Sequence, residues 1–394
     1  MKKSDVIVVG AGPAGLSFCR ALADSQLNMT LIDPHCADEL ATASYDGREI
    51  ALTHPSKEIL QQLGIWQKIP EHEIYQLRDA KVVNGCDVRA LHFPQPTHNS
   101  KKQPIDNLGY FVSNYQIRRA AYAAVSTQEN IHWRLEQRVA SARCNDDCAT
   151  VTLTNGETLT ADLLIAADSR FSTIRQQIGI AADLHDFART VIVFRVEHEI
   201  PHQQTAYECF FYGNTLALLP LSEHITNCVV TIDTQKLPQF MALTQEEWAE
   251  TISEQIAHRF GKMRVISELH HYPLMAVHAR QFYAPHCALI GDAACGMHPV
   301  TAQGFNLGLK SQHILSRLII QAAEQGKSIA APQLLKNYNR RHQINTRPLY
   351  HGTNHIVHLF TRETRAARFL RRHIVQISDR FSPLKHLISR QLTG

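Results

Sequence analysis

No apolar run in this sequence reaches the length of a bilayer span, so a transmembrane helix is not expected. The opening Met1-Lys2-Lys3 before an apolar run has the outline of a secretory leader. Gly10-Ala11-Gly12-Pro13 breaks the helix that such a leader needs, so none is expected. Cysteine pairs at metal-binding spacing are also missing. The nine cysteines (19, 36, 86, 144, 148, 209, 228, 287 and 295) are scattered and odd in number. Cys144 and Cys148 merely flank the turn-forming Asn145-Asp146-Asp147. That pattern predicts reduced thiols, a cytoplasmic setting and no metal site. Internal repeats and low-complexity tracts are absent too, which excludes a solenoid.

What is present is a chain of 394 residues, 44% hydrophobic and 19% charged, long enough for a large core and two domains. Its net charge of +4 is unevenly placed. Residues 361–394 hold eight basic residues (Arg362, Arg365, Arg368, Arg371, Arg372, Arg380, Lys385, Arg390) against Glu363 and Asp379, a surplus of six that leaves −2 for the rest. Such asymmetry argues against a nucleic-acid binder and for a basic appendage. Within residues 333–394, Leu359, Phe360, Ala366, Phe369, Leu370, Ile374 and Ile377 recur at helical spacing. A basic amphipathic helix of this kind suits an anionic membrane surface, or packs on its own protein with the arginines solvated.

Three passages have the form of an apolar strand that ends in a turn. The first is Asp5–Gly10, leading through Gly10-x-Gly12-x-x-Gly15 into a helix from Leu16 to Ala23. In that motif Gly10 makes the turn, Gly12 admits a pyrophosphate, and Gly15 (beside Ala14) lets helix and strand pack closely. A second strand, Met29–Ile32, delivers Asp33, suited either to a ribose diol or to a turn before Pro34. The second passage is Asp162–Ala167, ending at Asp168-Ser169-Arg170 with Arg175 beyond. The third is Ala288-Leu289-Ile290-Gly291-Asp292, followed by His298-Pro299 and a helix opening at Gln303-Gly304-Phe305-Asn306. A helix N-terminus aimed at a tight Gly-Asp turn cradles an electron-rich ligand. No second GxGxxG follows, so a separate nicotinamide domain is not expected, and the missing CxxxxC after the first helix excludes a dithiol mechanism.

Between these passages, Asp46-Gly47-Arg48 precedes a helix beginning at Ser56, and Ser113-Asn114 caps a helix to Val125. Asn155-Gly156 predicts a hairpin turn. Residues 188–233 read as antiparallel strands, and Thr244-Gln245-Glu246-Glu247 as a capping box for a helix through Phe260. Phe210 and Tyr212 can wall a flat apolar ligand or belong to a core.

The ordered trio of Gly10-x-Gly12-x-x-Gly15, Ala167-Asp168 and Gly291-Asp292 resembles the single-component FAD-dependent aromatic hydroxylases. The stretches His298-Pro299, Gln303 to Gly308 and Leu216 to Leu221 are similar to the ubiquinone-biosynthesis hydroxylases among them. The resemblance implies an α/β fold: a Rossmann-like FAD domain assembled from 1–69, 113–180 and 286–332, a β-sheet substrate domain from 70–112 and 181–285, and a helical tail over 333–394. It implies that Gly10, Gly12, Ala14, Gly15 and Asp33 hold the ADP half of FAD and that Arg48 and Asn114 contact the flavin. Asp168 then belongs to a second nucleotide motif, and Gly291 and Asp292 hold the ribityl chain. Pro299 and the helix from Gln303, Gly304, Phe305 and Asn306 face the isoalloxazine ring. His298 is the acid–base candidate, unless it is a structural histidine. Phe210, Tyr212 and Leu218 would line the substrate. Ser169, Cys295 and Lys310 stand where the family carries Gly, His and an acid.

The implied reaction hydroxylates the ring of a polyprenylated phenol through a flavin hydroperoxide, with O2 and NAD(P)H or another electron donor. Peripheral membrane contact through residues 361–394 and membership of a biosynthetic complex belong to the same expectation. The alternatives are a soluble aromatic substrate, or a flavin-holding subunit without catalysis.

Overall fold

The computed structural model describes residues 4–84, 90–99, 102–211, 214–298 and 302–361. Tyr212, Pro299 and the basic stretch from Arg362 onward lie outside the described residues. Among those described, three sheets of eight, nine and three strands carry the architecture.

The eight-stranded sheet is built on Ser4–Val9, an almost wholly buried strand. It runs parallel to Met29–Ile32 on one side and Thr158–Ala166 on the other. Cys287–Leu289 and Ile131–Arg134 extend the parallel array outward. Near-continuous runs such as Val-Ile-Val-Val suit strands covered on both faces, and the Pro13–Ala21 and Gly304–Glu324 helices supply one cover. The first helix begins at Pro13, earlier than the Leu16 expected, because a proline at the first helical position needs no N–H partner. Asn155-Gly156 makes its turn, and Ala149–Leu153 pairs antiparallel with Thr158–Ala166 across it. Ser113 stands at the N-cap of the Asn114–Val125 helix without bonding to it. Its hydroxyl donates instead to Glu49.

The nine-stranded sheet is antiparallel over most of its width and rises from residues 182–296 with Asp79–Asn84 and Ala90–Phe93 at one edge. Its two faces have different covers. Phe194, Tyr207, Cys209, Leu216, Leu218 and Cys228 pack against Trp248 and Ile252 of the Gln245–Gln255 helix. Thr244 and Glu247 form the expected capping box there. That helix stops short of Phe260 because Ala257 and His258 take positive φ and turn the chain. The opposite face packs on the small sheet of Glu49–Leu52, Ile74–Leu77 and Gly109–Ser113.

A buried ion pair joins the two halves. Arg195 of the large sheet donates to Glu49 at 2.7 Å and to the Ser113 hydroxyl at 2.8 Å. The Glu49 side chain is 0% exposed, and burial pushes its carboxyl above the usual range despite the opposing Arg195 charge.

Candidate flavin site

The Gly10–Gly15 turn is fixed by close backbone approach. Gly10 has φ +109°, and a Cβ there would collide with the Ala167 carbonyl. A Cβ on Gly15 would strike the Gly10 carbonyl. Gly12 differs, because nothing lies within 4 Å of where its Cβ would be. It stands at the N-cap of Pro13–Ala21 with no side-chain cap, so the helix presents free N–H groups to an open space. That is the arrangement a pyrophosphate needs.

Asp33 lies at the end of its strand as expected, and its carboxylate braces the loop. Oδ2 accepts the Ala11 N–H at 2.6 Å, while Oδ1 accepts the His35 N–H at 2.9 Å.

The Gly304–Glu324 helix supplies a second open N-terminus. Among the described residues no side chain caps it, and none lies within 4 Å of a Cβ on Gly304. Gly308 rides directly on Gly291, whose N–H donates to Ser311 Oγ at 3.0 Å. Gly291 takes φ +61°, and a Cβ on it would press on Ala14 Cβ. The two helix N-termini therefore converge on the Gly291 turn. Asn306 is a clamp at this place. Its amide donates to the Ala51 and Ala302 carbonyls at 2.8 Å and accepts the Thr53 N–H at 3.1 Å. Gln303 is buried, and Phe305 packs against the main core.

Asp292 is half-exposed and pairs with Arg170 at 2.9 Å. Arg170 also donates to the Met275 carbonyl at 3.0 Å. Behind it Arg175, only 2% exposed, donates to the carbonyls of Arg170 and Ala293 at 3.0 Å. Asp168 accepts the Thr173 N–H at 2.9 Å, the first of the short Thr173–Gln177 helix, whose N-cap is Ser172. Its other oxygen is buried without a partner among the described residues.

Arg48 and Asn114 meet through a residue that sequence reasoning passed over. Asp46 Oδ2 accepts from Arg48 at 2.6 Å and from Asn114 Nδ2 at 2.7 Å. These partners hold the Asp46 carboxyl below its usual range even though burial opposes them. The Tyr272 hydroxyl donates to the Asp46 carbonyl at 2.7 Å, and Asn227 donates to the Gly47 carbonyl at 3.2 Å. The Arg48 guanidinium lies 5.3 Å from the Tyr272 ring centre. The loop is thus tied to the nine-stranded sheet and to the start of the Asn114–Val125 helix, and the adjacent Asp-Gly pair was its only signal in the sequence. Asp46→Ala should release Arg48 and weaken FAD binding about tenfold, the usual cost of losing a charge-assisted bond of ~1.5 kcal/mol, readable by flavin fluorescence titration.

His298 is buried, its ring centre 4.7 Å from that of Phe187 and the two rings nearly perpendicular. Burial, reinforced by nearby His185, pushes its pKa down to about 4, so the imidazole is neutral near pH 7. Phe210 is buried on the large sheet. Leu218 departs from expectation. Alternation along Thr215–Pro220 turns it into the core beneath Trp248, while Ala217 and Leu219 take the face toward the small sheet.

The cradle, with two uncapped helix N-termini, open space at Gly12 and Gly304, and Asp292 at the turn, fits FAD. Comparison with known proteins agrees. Residues 3–348 match the family model for the FAD binding domain, so the chain is a flavoprotein of the FAD-dependent monooxygenase class. Within it the chain belongs to the ubiquinone hydroxylase family. It is 53% identical over 391 residues to ubiquinone hydroxylase UbiM of Neisseria meningitidis, covering 99% of this chain and 85% of that one. It is 29% identical to ubiquinone hydroxylase UbiL of Rhodospirillum rubrum, covering 100% of this chain and 90% of that one. Among solved structures, p-nitrophenol 4-monooxygenase PnpA of Pseudomonas putida shares the fold at a TM-score of 0.78 and 16% identity, over 99% of this chain and 97% of that one.

Proposed function

We propose that this enzyme hydroxylates the aromatic ring of a polyprenylated phenol on the route to ubiquinone. The observation that carries this reading is the junction of the FAD cradle with an apolar sheet face across the Asp46–Arg48 loop. FAD, reduced by NAD(P)H or another donor, supplies the activation of O2 and the delivery of one oxygen atom.

The chain's own residues do the rest. Gly12 and the Pro13–Ala21 N-terminus bind the pyrophosphate, with Asp33 holding their loop and meeting the ribose. Asp292 would hold the ribityl hydroxyls. Asp46 orients Arg48 and Asn114 toward the flavin edge. The apolar face carrying Val191, Val193 and Val229 excludes water, which would otherwise waste the activated oxygen. His298, neutral at pH 7, contributes a hydrogen bond beside the ring and no charge.

The substrate's polyprenyl chain places it in a bilayer, and the surplus of basic residues over 361–394 suits docking on anionic lipid at the cytoplasmic face. Vesicles containing phosphatidylserine should retain the full chain at low salt and release it at high salt. A chain truncated after residue 360 should not be retained by the same vesicles.

The test of function is a mass-spectrometric quinone profile of cells with and without the gene, in a strain stripped of related hydroxylases. Accumulation of a prenylated precursor lacking one or more ring oxygens supports the reading. An unchanged profile in that strain contradicts it and favours a soluble aromatic substrate.

A further inference from the structure

The face of the large sheet that looks toward the Asp46–Arg48 loop carries one acid with no partner among the described residues. On Thr205–Phe210, Tyr207 and Cys209 point into the core beneath Trp248, so alternation sends Glu208 to the other face. A single transverse row runs His270, Val193, Val229, Ala217, Glu208, Val82. Gly47 sits over the His270 and Val193 end of that row. Glu208 stands three strands further along, about 14 Å at ~4.8 Å per strand. Its surroundings are apolar. Val82, Ala206 and Leu219 pack there with Phe111, Ala51 and Tyr75 of the small sheet.

No hydrogen bond or ion pair to Glu208 is present among the described residues, and the residue is only partly buried. The charged groups nearby face elsewhere. Lys81 and Arg259 lie over Tyr207 on the opposite side of the sheet, and His92 is paired with Asp79. Tyr75, from the facing sheet, donates to Glu73 at 3.4 Å.

An apolar wall bearing one polar group is the complement of a prenylated phenol, which is apolar except at its hydroxyl. We propose that Glu208 is a catalytic residue that binds the substrate's phenol hydroxyl and accepts its proton. The inference rests on the phenol reading above. In the step, the substrate O–H bond breaks and an O–H bond forms on a Glu208 oxygen. The electron pair stays on the substrate oxygen and enriches the ring carbons ortho and para to it. The proton returns to that oxygen when the hydroxylated carbon loses its hydrogen to solvent as a proton and the ring regains aromaticity. Burial lifts the Glu208 carboxyl to about 8. That brings it closer to a phenol of pKa about 10 than an ordinary carboxylate, which favours proton transfer.

The test compares FAD-loaded wild type with Glu208→Gln, which removes the charge at nearly constant size, using a short-chain 2-prenylphenol. Equal FAD content and equal thermal midpoints at pH 6 establish that the variant is folded. Wild-type kcat/KM should rise with pH through a break near 8. Glu208→Gln should lose that break and fall at least about 100-fold at pH 8.5, the low end of general-base effects. At that pH the phenol should bind wild type about fivefold more tightly than the variant, because only the Glu208 carboxylate accepts a charge-assisted hydrogen bond from the phenol hydroxyl. An unchanged pH break and equal phenol affinity in Glu208→Gln overturn the assignment. Should wild type bind the phenol without hydroxylating it, the functional reading fails while the affinities still decide on Glu208. Failure of wild type to bind it at all removes both.

Discussion

Gly12→Asp should abolish FAD binding while making the apoprotein slightly more stable. The two effects have opposite signs because they act on different partners of the same helix end. The space at Gly12 is open, so the new side chain meets nothing and the fold is kept. Aspartate is a better N-cap than glycine by a few tenths of a kcal/mol, and the Pro13–Ala21 helix has no side-chain cap of its own. Against this, a carboxylate ~4 Å from a pyrophosphate oxygen costs about 4 kcal/mol at an effective dielectric of ~20, close to a thousandfold in affinity. The added side chain also fills the space the phosphate needs. Thermal unfolding of apoprotein and flavin titration, run side by side, check both signs. Loss of stability together with loss of FAD would mean that Gly12 serves packing, as Gly10 and Gly15 do.

The second large effect belongs to the pair joining the two sheets. Arg195→Leu strands Glu49 in a place from which water is excluded, and the expected loss is ~3–5 kcal/mol, the range for breaking a buried ion pair. The double variant Glu49→Leu with Arg195→Leu should recover most of that loss, because no charge is left unpaired. pH adds a second signature. Burial already raises the Glu49 carboxyl, and removing Arg195 takes away its main opposing influence. A carboxyl whose folded pKa lies above its unfolded value is protonated preferentially in the folded state. Its stability is then full below the unfolded value of about 4.3 and falls as pH rises toward the folded pKa. Arg195→Leu should therefore unfold at lower urea as pH rises from 4 upward, with the slope absent in the double variant. A single variant as stable as wild type would show that solvent reaches Glu49.

The parts of the site that were legible in the sequence are those built from neighbours along the chain. Gly10 to Gly15, the strand ending at Asp33 and the turn at Gly291-Asp292 each announce themselves through a local strand–turn–helix pattern. Asn155-Gly156 and the Thr244–Glu247 box were legible for the same reason. The Asp46 hub was not, because Arg48 is its only local partner and Asn114 stands 68 residues away. Nor was the Glu49–Arg195 pair, whose members are 146 residues apart. Asn306 read as a ligand contact, whereas its amide is committed to the backbone of residues 51, 53 and 302.

Leu218 shows a different limit. Leu216, Leu218 and Leu219 are all apolar, so nothing in their pattern tells which face meets a helix and which meets a ligand. The packing of Trp248 decides it, and that helix comes 30 residues later in the chain. The same assignment of faces brings Glu208 into view.

The most direct test of the account is isotopic. The purified FAD-loaded enzyme is reduced with NAD(P)H, mixed with a prenylated phenol under 18O2, and the product weighed. The account predicts a hydroxylated ring carrying one 18O atom from the gas, with FAD reoxidised in step. Hydrogen peroxide as the sole product, with the phenol returned unlabelled, would contradict it.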